Sequence, residues 1–208
     1  MPILKNILGF FVIGILLTNL STQANASNCQ IQSDSSSSKK SDSELLLKRI
    51  YEKRDSERKL TVNLSRKTLR ICKDKLTFTV ESPLAGYLYV LQLGSNGKVF
   101  NLLFPNRISS DNFIQANEIV TIPDKKSGFS ITAAGPVGSD FLLIMVSDKQ
   151  RSLEELKQTS LSEKIISLDA STPNMDLLTR SLVRVDSADS ENKDAWAAEL
   201  IEVKEVVE

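Results

Sequence analysis

The sequence predicts a mainly β fold, an antiparallel β-sandwich with added short α-helices, and three observations carry that expectation. From Leu60 to Ser147 the hydropathy alternates with period two, as where Leu76, Phe78 and Val80 interleave with Lys75, Thr77, Thr79 and Glu81. Two segments, Tyr87–Leu91 and Phe141–Val146, are instead apolar at nearly every position, so both their faces must be covered. That requires central strands packed between a second sheet and a layer of helices or a partner. Finally, every Gly after Gly9 and Gly14 falls between Gly86 and Gly138, where the turns of a β domain need them.

In chain order, residues 1–26 read as a signal peptide. Lys5 precedes the apolar run from Ile7 to Leu17, and Ala24-Asn25-Ala26 forms a small-x-small cleavage site ahead of Ser27. The run is too short to cross a bilayer, which takes about twenty residues, although an uncleaved anchor is the competing reading. Lipidation of Cys29 is disfavoured because Asn28, not a small residue, precedes it. The expectation is a periplasmic protein whose mature chain does not span a membrane. Residues 27–42, with Ser35-Ser36-Ser37-Ser38, are too polar to offset chain entropy and read as a flexible linker. A helix is expected over 43–58, capped by Asp42 or Ser43, with Leu46, Leu47, Ile50 and Tyr51 on one face.

Residues 59–208 form the expected sandwich domain. Strands are predicted at Leu76–Val80, Tyr87–Leu93, Val99–Phe104, Glu118–Ile122, Phe129–Ala133 and Phe141–Ser147, with Gly94-Ser95-Asn96-Gly97 as a hairpin loop. A helical insertion follows over about 152–182, opened by a Ser152/Glu155 capping box and again by Thr172-Pro173. Residues 186–194 read as loop. Trp196–Val207 is compatible with helix or strand, and the β-branched Ile201, Val203, Val206 and Val207 favour a closing strand.

Composition narrows the function classes. The 208 residues carry 26 basic and 26 acidic side chains, two Cys and no His, with 41% apolar residues. Without His, imidazole-based hydrolysis and most zinc chemistry are excluded. Charge balance without a basic run gives no electrostatic reason to bind nucleic acid. In an oxidising compartment Cys29 and Cys72 are a candidate disulfide closing a loop of about 43 residues, worth on the order of 3–4 kcal/mol; two unpaired thiols are the alternative. Ser36-Ser37-Ser38-Lys39 and Ser190-Glu191-Asn192-Lys193 match a Ser-x-x-Lys spacing, but both lie in polar stretches where chance explains them. Asp111, Glu118, Asp124 and Asp140 are candidates for an acid/base pair or cation site, against the ordinary reading of loop carboxylates. No cofactor or metal is implied.

The densest local pattern is Gly86-Tyr87-Leu88-Tyr89-Val90-Leu91, Asn96-Gly97, Leu103-Phe104-Pro105-Asn106, Ile122-Pro123 and Ala134-Gly135-Pro136-Val137-Gly138. Over roughly Leu76 to Ser147 it resembles the bacterial family catalogued as domain of unknown function 4384. Ala116-Asn117 replaces the Ala-Gly common in relatives, and Asn also tolerates a positive φ there. Members often append this domain to peptidase-like or kinase domains that are absent here, so the resemblance implies binding or sensing more than catalysis. A small exported version is also similar to periplasmic accessory proteins of type VI secretion machinery, which contact the periplasmic part of an inner-membrane core component.

The leading expectation is therefore a non-enzymatic module that binds an envelope protein, with Pro105, Asn106 and Arg107 as an exposed rim. Tyr87 and Tyr89 are further partner-binding candidates, set against simple core packing, which is also the ordinary role for Phe104. Cell-wall glycan or peptide binding is the alternative, and it expects exposed aromatics along a groove with polar groups beside them. An enzyme would instead need two buried carboxylates close together in a cleft.

Overall fold

The computed structural model describes residues 37–183 and 195–207, so the expected leader, Cys29 and the 186–194 loop lie outside the described residues. Helix α1 (Ser37–Glu52) leads into β1 (Thr61–Leu64), β2 (Thr68–Arg70), β3 (Lys75–Leu76), β4 (Phe78–Glu81), β5 (Gly86–Leu93) and β6 (Val99–Phe104). Then come β7 (Phe113–Ile114), β8 (Ile119–Ile122), β9 (Ile131–Thr132), β10 (Gly138–Ser147), α2 (Glu154–Thr159), β11 (Ile166–Asp169), α3 (Thr172–Leu182) and β12 (Trp196–Val206). A seven-stranded sheet is ordered β11-β6-β5-β10-β12-β2, with β7 paired to the start of β5. Its pairings are antiparallel except for β12 with β2. A three-stranded sheet, β1-β4-β8, and a β3-β9 pair complete the β structure of the described residues.

The two apolar strands behave as their composition demands, because successive side chains leave opposite faces of a strand. From β5 and β10, Tyr89, Leu91, Leu93, Leu143 and Met145 enter a core closed by Leu47 and Ile50 of α1, Leu156 of α2 and Leu177, Leu178 and Leu182 of α3. On the other face Leu88, Val90, Leu142, Ile144 and Val146 pack against Phe78, Val80 and Ile122 of the small sheet and Leu76 and Ile131 of the β3-β9 pair. Each such side chain, removed from water, contributes about 1.5–3 kcal/mol before entropy is counted. A register shift at Val90/Leu91 against β6 leaves one residue extra, so Leu103 and Phe104 both reach the second core while Phe100 and Leu102 serve the first.

Several boundaries depart from expectation. Helix α1 starts at Ser37, inside the segment read as linker, and ends at Glu52, short of 58. It stops there because the Asp55 N–H turns to the carbonyl of Trp196 at 2.9 Å. Ser43 is not a cap: it lies inside the helix, and its hydroxyl donates to the Gly97 carbonyl at 2.8 Å, fastening α1 to the hairpin. The 152–182 insertion is not wholly helical, since β11 separates its two helices and adds Ile166 and Leu168 to the first core through pairing with β6. The capping box is absent: Leu153 is the residue before α2, no side chain caps it, and Glu155 pairs with Arg180 at 3.0 Å. Trp196–Val206 is the closing strand. At the hairpin Gly97 takes φ 67°, and at the family departure Asn117 takes φ 61°, the left-handed region that both residues tolerate.

Candidate functional site

Most of the expected rim is buried. Pro105 is buried and Asn106 is 5% exposed. The Asn106 amide builds its own turn: Nδ2 donates to the Leu103 carbonyl at 2.7 Å, and Oδ1 accepts the N–H groups of Ile108 and Ser109 at 2.8 Å each. These are the bonds an Asn makes when it replaces a strand ladder at a turn, and they turn the amide inward, away from a partner. Arg107 is exposed, with its guanidinium donating to the Lys157 carbonyl at 2.5 Å. Tyr89 is buried, and its hydroxyl accepts the Arg151 N–H at 2.6 Å, while burial raises its pKa. Tyr87 is half-buried, with Phe113 edge-on to it at a centroid separation of 5.2 Å. Cys72 sits exposed after β2 at φ 63°, and no free thiol occurs among the described residues.

A cleft of about 720 Å³ opens on the second-core side of the large sheet, beyond the end of the β3-β9 pair. Its floor is a polar row that strand geometry assembles from distant residues. Gln92 of β5 stands opposite Asn101 of β6 and Leu142 of β10, which brings Asp140 diagonally beside it. In the next strand Asp140 faces Val203 and Gly138 faces Glu205, so Asp140 and Glu205 are diagonal neighbours as well. Hydrogen bonds connect the row. The Ser167 hydroxyl donates to Asn101 Oδ1, Asn101 Nδ2 donates to Gln92 Oε1 at 3.4 Å, and Gln92 Nε2 donates to Asp140 Oδ2 at 2.5 Å. Leu103, Ile108, Phe129 and Ile131 supply apolar wall, and Lys164 stands exposed at the margin.

Asp140 and Glu205 are 6% and 4% exposed. Burial pushes the Glu205 carboxyl up to about 7, the nearby Asp140 charge adds to this, and the N–H groups of Gly135 and Ala134 oppose it. The Gly135 bond is 2.5 Å long. Two buried carboxylates side by side can hold a cation, exchange a proton with a ligand, or accept donors from a peptide or sugar. Among the described residues no three metal-ligating side chains gather. Asp140 was legible as a carboxylate candidate, but Glu205, Gln92 and Asn101 were not. The other three candidates, Asp111, Glu118 and Asp124, are exposed and border a separate groove of about 400 Å³ beside β8. Asp74 is held well below the usual carboxylate range by hydrogen bonds from the Arg70 side chain and N–H, with Arg66 adding its charge, and it anchors the turn after β2.

The Gly86–Leu93 strand, the hairpin, the Leu103–Asn106 turn and the Ile122-Pro123 stop all lie in one stretch that a family model covers, from residue 72 to 150. That stretch matches the model of a domain of unknown function, DUF4384. No curated protein and no solved structure matches the chain. The matched stretch supplies β3 through β10, and with them Gln92, Asn101 and Asp140 of the polar row. Glu205, Ser162 and Lys164 line the cleft from outside it, so the cleft joins the matched stretch to segments that follow it in the chain.

Proposed function

We propose that the protein is a non-enzymatic binding module of the cell envelope, whose cleft holds a segment of another envelope protein. One observation supports this above others: a cleft of about 720 Å³ combines apolar wall with the hydrogen-bonded side chains of Asn101, Gln92 and Asp140 and with Glu205, held by Gly135. Sites of roughly 300–1,000 Å³ with few, well-placed polar groups suit recognition of a compact ligand or a few side chains. Binding is favoured over catalysis because each carboxylate is held by an internal donor, Gln92 on Asp140 and Gly135 on Glu205. Export past Ala26, a Cys29–Cys72 bridge and a place in type VI secretion assembly, against the periplasmic part of its inner-membrane core, belong to the same proposal.

The test places a photo-crosslinking side chain at Lys164 on the margin of the cleft in the native host. A crosslink to an envelope protein that disappears with Asp140→Asn supports the reading, and a crosslink indifferent to that change refutes it. Intact mass of the periplasmic protein should start at Ser27 with no lipid on Cys29. The amides of Gln92 and Asn101 beside Phe129 favour cell-wall glycan or peptide as a second reading, which predicts saturable binding of soluble muropeptides by the purified chain.

A further inference from the structure

We propose that the free edge of β8 and the groove beside it dock an extended basic segment of a partner protein, added as a new strand to the three-stranded sheet. This surface is separate from the cleft floor, and the inference does not rest on what the cleft binds.

Strand β8 is last in the order β1-β4-β8, paired to β4 from Phe78 opposite Ile122 through Glu81 opposite Ile119. On its other side no strand pairs with it among the described residues. Proteins commonly guard such an edge with Lys, Pro or an inward charge, because unpaired backbone donors and acceptors recruit another strand. Within Ile119-Val120-Thr121-Ile122 there is none of these, and Ile119 is 66% exposed. The adjoining groove is floored by buried Phe104, Ile114 and Ile122, and Phe113, itself 45% exposed, stands at its border against Tyr87. Apolar surface beside an unguarded edge is what strand addition uses: main-chain bonds give affinity and pockets for alternate side chains give specificity.

Charge selects the occupant. Asp111, Glu118 and Asp124 border the groove, all exposed, and no Lys or Arg lines it. Lys125 and Lys126 follow on the next turn without lining it. A second copy paired edge to edge would bring two acidic borders together, which is unfavourable. Residues 184–194 carry Asp186, Asp189, Glu191 and Asp194 against Arg184 and Lys193, a net acidic composition that does not complement the border. A partner strand alternating apolar and cationic residues satisfies backbone, pockets and border together.

The experiment uses the full chain and a fluorescein-labelled peptide of alternating Val and Lys, read by fluorescence anisotropy. Its counterpart of alternating Val and Glu serves as control, with two N-methylated versions of the basic peptide, each blocked on one set of alternate amides. Expected is binding of the basic peptide alone, weakened about tenfold or more by ~0.5 M salt and by Asp111→Lys with Asp124→Lys. One N-methylated version should fail and the other bind, because only one edge of an added strand faces β8. The proposal is overturned if the basic peptide does not bind or if the acidic one binds equally. Indifference to the double substitution overturns it as well, as does tolerance of both N-methylated versions, which would mean charge attraction without strand pairing. A concentration-dependent dimer through this edge would assign it to a second copy and likewise overturn the proposal. The methylated peptides keep the outcome decisive even if the double variant folds poorly.

Discussion

Replacing Glu205 by Gln should stabilise the protein at pH 8 and leave it nearly unchanged near pH 4.5. The carboxyl ionises around 4.5 in an unfolded chain and at about 7 in the fold, chiefly because burial penalises its charge. Below 4.5 both states are protonated and the site costs nothing. Between 4.5 and about 7 the folded state keeps a proton that the unfolded state has lost, so stability falls as pH rises; above about 7 the loss is complete and constant. Between 4.5 and about 7, at about 1.4 kcal/mol for each tenfold change in proton affinity, that loss comes to roughly 3 kcal/mol. In the variant the amide oxygen still accepts the Gly135 N–H, and the amide nitrogen can donate toward Asp140. Asp74 does not confuse the window, because its depressed carboxyl loses its contribution only as pH falls below its ordinary 3.8. Urea unfolding followed by the fluorescence of Trp196, buried and the chain's single Trp, reads the effect directly. The wild type should lose stability from pH 4.5 to 8 relative to the variant, equivalent to roughly 6–12 °C in Tm at about 2–4 °C per kcal/mol. Parallel pH profiles for the two proteins would refute the buried-charge argument.

Asn106→Ala should cost about 2–3 kcal/mol in chemical denaturation, since the Leu103 carbonyl and the Ile108 and Ser109 N–H groups lose their partner, whereas an exposed binding rim would show no such cost. Tyr89→Phe should cost about 1–2 kcal/mol through the orphaned Arg151 N–H, with no change in the shape of the far-UV spectrum. Gly86→Ala should cost about 1–3 kcal/mol, because the added Cβ would lie 2.6 Å from the Ser147 carbonyl oxygen at the β5–β10 seam, and hydrogen exchange should speed there first.

The layered core was legible because it needs only period-two geometry and the rule that an apolar face must be covered. Tyr87–Leu91 and Phe141–Val146 announced two faces, and the structure covers one with helices and the other with the small sheets. Strand β11 escaped notice because Ile166 and Leu168 alternate over too few residues to stand out between two helical signals. Asn106 was misread since a strand-ending Pro-Asn usually faces solvent; whether its amide turns inward depends on carbonyls and N–H groups that sequence does not locate. Most of the cleft was unreadable for the same reason. Glu205 follows Lys204 and looks like one of two surface charges, and only the register of β10 on β12, together with strand parity, sends Lys204 outward and Glu205 in beside Asp140.

Strand β12 lies between β10 and β2, though it is the last strand in the chain, and its partners come from early and middle segments. A chain emerging from its N-terminus therefore cannot close its main sheet until Trp196–Val206 has arrived. Until then β10 keeps an unpaired long side, Val203 and Ala197 are missing from one core and Trp196 and Ala198 from the other. Such distant pairings demand large loop closures and slow the final step of folding. Synthesis thus proceeds on a chain that is still pliable, and rigidity comes as a single late event when the C-terminal strand slots in. Any truncation before Trp196 should yield not a smaller version of the fold but an open intermediate exposed to chaperones and proteases.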